Sequence, residues 1–171
     1  MTDTQADAQP KNEVAFPRLS EDQVERVAEV AACRKADEAC VLFDAGDRGF
    51  KFFVVQEGCV RVIEPADAGE KFVAAHGPGE FTGDVDMLTG RPSVVRAVAE
   101  PGTKVLEVDA EQLRELLAKD AELSDIILRA FLMRRELLSR SDFQGTRIIG
   151  SRWSRDTFRL KEFCSKQQVL H

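Results

Sequence analysis

From Cys40 onward the chain changes character every few residues, and that restricts its fold more than anything else in it. Val41-Leu42-Phe43 gives way to Asp44-Ala45-Gly46-Asp47, and Phe50–Gln56 gives way to Glu57-Gly58. Cys59–Ile63 runs into the polar stretch Pro65–Glu70 before Phe72–Ala75 resumes, and Pro101-Gly102 precedes Lys104–Val108. Brief strand-forming runs separated by Gly, Asp and Pro predict a β-sandwich or barrel.

Helical patterns flank this β region. Ser20 is placed to cap a helix N-terminus, with Gln23 three residues on as its capping-box partner, and Val24, Val27, Ala28 and Ala31 form an apolar face. Asp109 caps a later helix carrying Leu113, Leu116 and Leu117. A longer one starts at Asp120 or Ala121 and reaches about Arg140. Its apolar positions, Leu123, Ile126, Ile127, Ala130, Phe131, Leu137 and Leu138, make a stripe wide enough for the β-domain and a second helix. Residues 1–15 have no apolar period and read as a disordered arm.

The 171 residues suffice for one domain with a real core plus an appendage, and the net charge of −6 disfavours wholesale binding to nucleic acid or acidic membrane. Cys33, Cys40, Cys59 and Cys164 form no C-x-x-C pair and no metal-ligand spacing, which fits a reduced cytosolic compartment and a chain without a bound metal. No run is long and apolar enough for a membrane helix, and no signal-peptide pattern opens the chain.

The stretch with chemistry in it is Gly79-Glu80-Phe81-Thr82-Gly83-Asp84-Val85-Asp86-Met87-Leu88-Thr89-Gly90-Arg91-Pro92-Ser93-Val94-Val95-Arg96-Ala97. Free backbone N–H groups at a Gly-led helix start suit a phosphate, and an arginine nearby supplies a matching bidentate charge. A carboxylate beside them suits a sugar hydroxyl. Those needs describe a pocket for a phosphorylated ribose.

This run resembles the phosphate-binding cassette of cyclic nucleotide-binding domains, the family of the catabolite activator protein and the protein kinase A regulatory subunits. The Phe16 to Leu19 opening, the Gly46-Asp47 turn and Gly58 stand where that family has its own landmarks. The resemblance implies a mainly β fold with flanking helices: a double-stranded β-helix (jelly roll) over residues 16–140, with an N-terminal helix and long C-terminal helices. It implies a ligand site of Phe81, Gly83, Asp84, Val85, Arg91, Ser93 and Arg96, with cAMP or cGMP as ligand. Asp84 takes the place of the family's ribose-binding Glu, and Asp86 falls where a small residue is usual. Counted without gaps from Gly83, Ser93 stands at the phosphate arginine; a turn two residues shorter makes it Arg91, and Arg96 is the third candidate. The family's C-terminal helix commonly covers the ligand or pairs with a twin, so a homodimer through residues 121–140 is expected.

Residues 141–171 read as a linker and an incomplete βα unit, with a strand at Arg147-Ile148-Ile149-Gly150, a loop over Ser151–Thr157 and a helix at Phe158–Lys166. Residues 147–171 carry six basic and two acidic side chains, a net +4, leaving −10 on the first 146 out of the total of −6. The Ile-Gly-Ser-Arg wording from Ile149 resembles the segment that joins such domains to thioredoxin reductase-like flavoproteins. It implies that this chain is a regulatory portion whose redox partner, with FAD and NADPH, lies beyond it; no G-x-G-x-x-G and no dithiol occur here.

Two functions are therefore expected in competition. One is a sensor that binds a cyclic nucleotide or similar phosphorylated ligand and repositions its C-terminal helices. The other is a degenerate version of the fold acting as a ligand-free dimerisation or docking module. Catalysis by this chain itself is not expected, because no Ser, Cys or His constellation accompanies the cassette carboxylates. DNA binding is not expected either, because the residues after Arg140 lack a recognition-helix pattern.

Overall fold

The computed structural model describes residues 12–66, 69–140 and 154–166. It divides into a first unit, Met1–Met133, and a second, Arg134–His171, which are described separately.

The first unit opens with a turn over residues 13–16 in which the Phe16 N–H reaches the Asn12 carbonyl at 2.9 Å and Ala15 is buried. Helix α1, Glu21–Ala28, follows with the capping box that the sequence predicts: the Ser20 hydroxyl accepts from the Gln23 N–H, and the Gln23 side chain accepts from the Ser20 N–H. Gln23 and Val27 form its buried side, whereas Ala28 is exposed and Ala31 lies past the helix end.

Seven strands come next: β1 (Ala32–Ala36), β2 (Cys40–Phe43), β3 (Phe52–Glu57), β4 (Val60–Ala66), β5 (Gly69–His76), β6 (Arg96–Ala99) and β7 (Thr103–Val108). They form two antiparallel sheets, one ordered β1-β7-β3 and the other β2-β6-β4-β5. Early strands pair with late ones, β1 with β7 and β2 with β6, which is the nested winding of a jelly roll. Strand β1 was not foreseen, since Ala-Cys-Arg-Lys-Ala offers a single buried side chain, Ala36. Of the polar run Pro65–Glu70, expected as a turn, the ends lengthen the β4–β5 hairpin, with Pro65 opposite Glu70 and Ala66 opposite Gly69, while residues 67 and 68 lie outside the described residues.

Strand β3 shows why its sequence is apolar without interruption. Side chains alternate between sheet faces along a strand, and here both faces are covered. Phe53 points toward β2, where its ring lies 6.4 Å from that of Phe43. Phe52 points the other way, toward Phe81 at 5.3 Å and Phe131 at 6.2 Å. Phe131 belongs to helix α4, Ala121–Arg140, which follows α3, Ala110–Lys119. Asp109 caps α3 in a second capping box with Gln112. Leu123, Ile127, Ala130 and Phe131 are buried along α4, and among the described residues its large apolar side chains left exposed are Leu128 and Leu132. Arg26 ties α1 to the start of α4 by 2.7 Å and 2.6 Å bonds to Asp120 and Glu122.

In the second unit, the strand expected at residues 147–150 lies outside the described residues. The helix expected from Phe158 starts earlier, at Arg155, and ends at Lys166 (α5). Ser154 stands before its first turn, with the hydroxyl 3.5 Å from the Thr157 nitrogen.

Candidate functional site

The cassette is held in place by backbone bonds on its leading side. The Gly79 N–H donates to the Val55 carbonyl at 2.8 Å, the Val55 N–H to Glu80 at 2.9 Å, and the Thr82 N–H to Phe53 at 2.9 Å. The Thr82 hydroxyl accepts from the Phe53 N–H at 3.2 Å, so residues 79–82 lie alongside β3. The Leu19 N–H donates to the Gly79 carbonyl at 2.8 Å, tying the N-terminal segment to the same place.

Gly83 turns the chain with φ +102°, a left-handed conformation that glycine adopts freely. A Cβ there would stand 3.2 Å from Cζ of Phe131 and 3.6 Å from Sδ of Met87. The cassette glycine is therefore also the seat of the α4 aromatic ring. Short helix α2, Val85–Thr89, follows. Asp84 caps it, its carboxylate accepting the Asp86 N–H at 2.9 Å, and Gly90 closes it in the left-handed conformation at φ 72°.

The seven residues expected at the site separate into distinct roles. Phe81 is wholly buried as part of the three-ring cluster with Phe52 and Phe131. Val85 is half-buried against the core at the first position of α2. Asp84 spends one carboxylate oxygen on the cap. Ser93 is buried: its hydroxyl donates to the Val95 carbonyl at 2.8 Å and accepts the Val95 N–H at 3.2 Å, while its backbone exchanges bonds with Gly46 and Asp47. Arg91 stays on the cassette, its backbone N–H on the Asp86 carbonyl at 3.0 Å and its Nη1 4.0 Å from Oδ1 of Asp86. Arg96 instead grips Asp44 through two 2.9 Å bonds and reaches Glu70 at 3.0 Å.

Sequence reasoning passed over Arg48, whose Nη1 lies 3.4 Å from the Gly90 carbonyl and brings a second cation toward the end of α2. The contact spans 42 positions, and nothing local to the Asp47-Arg48-Gly49 turn announces it. A cavity of about 250 Å³ opens beside that turn, lined by Arg34, Phe43, Arg48, Phe50, Lys51 and Glu107 among others. No residue of 79–91 lines it, so it is separate from the cassette.

The Arg96 hydrogen bond holds the Asp44 carboxyl below its usual range, and Asp44 in turn raises Arg96. A carboxyl depressed in the folded state stabilises above its unfolded pKa, about 4, and loses that contribution as pH falls through the lowered value. Thermal melts between pH 6 and pH 3 should therefore show the native chain losing stability on acidification more steeply than an Arg96→Gln variant. Parallel curves would contradict the pair.

A jelly roll carries a Gly-led cassette between its fifth and sixth strands, with a long helix seated on the cassette glycine. The comparisons name the family. The family model described as cyclic nucleotide-binding domain matches residues 33–120, and the chain belongs to that family. It is 28% identical over 106 residues to a cGMP-dependent protein kinase of Caenorhabditis briggsae, covering 60% of this chain and 14% of the kinase. It is 25% identical over 88 residues to a cAMP-dependent protein kinase regulatory subunit of Mycosarcoma maydis, covering 52% of this chain and 17% of the subunit. Among solved structures it resembles the Thermus thermophilus catabolite activator protein at 26% identity and a TM-score of 0.59, over 72% of this chain and 58% of that one. The N-terminal domain of a Streptomyces coelicolor transcriptional regulator shares the fold, with a TM-score of 0.54. The aligned stretch is thus a small part of the kinase-type relatives. Among the described residues no helix is long and apolar enough to cross a membrane.

Proposed function

We propose that the domain is a regulatory sensor that binds a cyclic nucleotide, or a similarly phosphorylated ligand, on the cassette, with Arg91 as the cation that meets the phosphate. The observation that carries this reading is the position of Arg91. Of the three places considered for the phosphate partner, Ser93 has its hydroxyl turned onto its own loop and Arg96 bonds Asp44 and Glu70 away from the cassette, whereas Arg91 lies on the cassette itself, with Nη1 4.0 Å from Oδ1 of Asp86. Gly83 and the N–H groups that follow it supply the neutral part of the cradle, and Asp84 is placed for the ribose. The cAMP- and cGMP-dependent kinases among the relatives support a purine cyclic nucleotide as the ligand class.

Signal transmission follows from the seat of Phe131 on Gly83. A ligand that favours one arrangement of this contact over another shifts the population of α4 positions by its differential affinity. Leu128 and Leu132, 37% and 63% exposed and one turn apart, support pairing of two such helices. The wording from Ile149 supports a thioredoxin reductase-like enzyme as the regulated partner, and the net charge of −6 supports a chain that does not act on nucleic acid.

The test is calorimetric titration of cAMP and cGMP into the native chain and an Arg91→Ala variant. Loss of a charged hydrogen-bond partner costs about 1.5–3 kcal/mol, so the variant should bind roughly ten- to hundredfold more weakly. Equal affinity would move the phosphate away from Arg91. Absence of heat with the native chain up to millimolar ligand would favour the second reading, a ligand-free dimerisation or docking module, for which the self-bonded Ser93 is the specific observation.

A further inference from the structure

Resting on the reading that a phosphorylated ligand docks at Arg91, we propose that Asp86 sets the affinity of the cassette, acting as a built-in counterion that occupies Arg91 until the ligand takes its place. Asp86 is buried, with 3% of its surface exposed, yet it stands inside the segment meant to receive an anion. Its Oδ1 is 4.0 Å from Nη1 of Arg91, whose side chain is 27% exposed. The backbone holds the two residues close together. The Asp86 N–H is held by the Asp84 carboxylate, and the Asp86 carbonyl accepts the Arg91 N–H, so a closed turn joins the two charged residues.

Two charges at this distance attract strongly where water is partly excluded, and the same exclusion makes a second anion beside Asp86 costly. A ligand phosphate arriving at Arg91 therefore meets a cation that already faces a carboxylate, and a carboxylate of its own sign. The consequence is a sensor tuned to high ligand concentration. Asp86 is a specificity and affinity residue, and the small residue usual at its position would make the same cassette tighter. It also penalises dianionic phosphomonoesters more than singly charged cyclic phosphodiesters, because repulsion grows with ligand charge.

The pair is tested first without ligand. Exchange of the Arg91 Nη protons with water, followed by ¹⁵N NMR at low temperature, should be severalfold faster in Asp86→Asn than in the native chain. An unchanged rate overturns the proposal whatever the ligand does. Titration of cAMP and cGMP should then show Asp86→Asn binding at least tenfold tighter than native, with Asp86→Ala giving the same gain if the amide packs poorly. The gain should vanish when Arg91→Ala is added. Heat with Asp86→Asn and none with the native chain supports the built-in counterion while overturning the sensor reading for the native protein. Equal affinities overturn the proposal and leave the sensor reading standing. Silence from native and both Asp86 variants overturns both.

Discussion

Phe131→Ala should destabilise the first unit by about 3–5 kcal/mol, the usual cost of deleting a buried phenyl group. The ring is wholly buried and makes edge-on contacts with Phe52 and Phe81, at 6.2 Å and 6.3 Å between centroids. Its removal leaves a cavity where α4, β3 and the cassette meet, and no neighbour is positioned to fill it: Gly83 has no side chain, and Met87 is already buried. Domains of this size are stable by only about 5–15 kcal/mol, so the loss is a large share of the total. Urea denaturation checks it. Phe131→Leu, which keeps most of the volume, should lose much less than the alanine variant. An alanine cost below about 1 kcal/mol would mean that α4 is not seated on the cassette, and the transmission route through Gly83 would go with it.

The second large effect concerns Gly58, in the turn between β3 and β4. Its φ of +82° is left-handed, which alone costs a residue with a Cβ about 1–2 kcal/mol. A Cβ would also stand 2.6 Å from Oγ1 and 2.7 Å from Cα of Thr103. The hydroxyl cannot simply turn aside, because it accepts the Cys59 N–H at 3.1 Å and donates to the Cys59 carbonyl at 2.9 Å. The backbone atom cannot move without disturbing β7, which pairs with both β1 and β3. Gly58→Ala should therefore cost about 3 kcal/mol or more, adding steric displacement to the conformational term. Gly102 provides the control. Its φ of +79° is nearly the same, but nothing lies within 4 Å of a Cβ placed there. Gly102→Ala should show the conformational term alone, about 1–2 kcal/mol. Matching losses at the two glycines would contradict the close approach to Thr103.

These residues also show which parts of the structure the sequence carried openly. Capping is local, so the Ser20–Gln23 box and the Asp109 cap were readable from nearby residues and both form, with Gln112 completing a second box at Asp109. Gly58 was readable as a turn, but its contact with Thr103 depends on pairing across more than forty positions. Strand β1 was missed for the opposite reason: an edge strand with one buried side chain carries almost no alternation. At the cassette, the glycine and carboxylate pattern marked the segment, which lies within the residues 33–120 that the family model matches. The arginines could not be sorted from the sequence. What separates Arg96 from Arg91 is Asp44, which is 52 positions away from Arg96 and meets it only because β2 pairs with β6. The α4 stripe likewise did not say which apolar residues would be spent on the core; Ile127 and Phe131 are, whereas Leu128 and Leu132 remain outside.

A phosphorylated ligand that settles on the Gly83–Arg91 turn should be felt by the helix resting on Gly83. A ¹H–¹⁵N and aromatic ¹H–¹³C NMR titration of the chain with cAMP and cGMP reads both ends of that link. Saturable shifts are expected at the Gly83, Asp84 and Val85 amides and the Arg91 side chain, with the Phe131 ring moving in step. Spectra unchanged up to millimolar nucleotide, or shifts confined to residues away from the cassette, would contradict it.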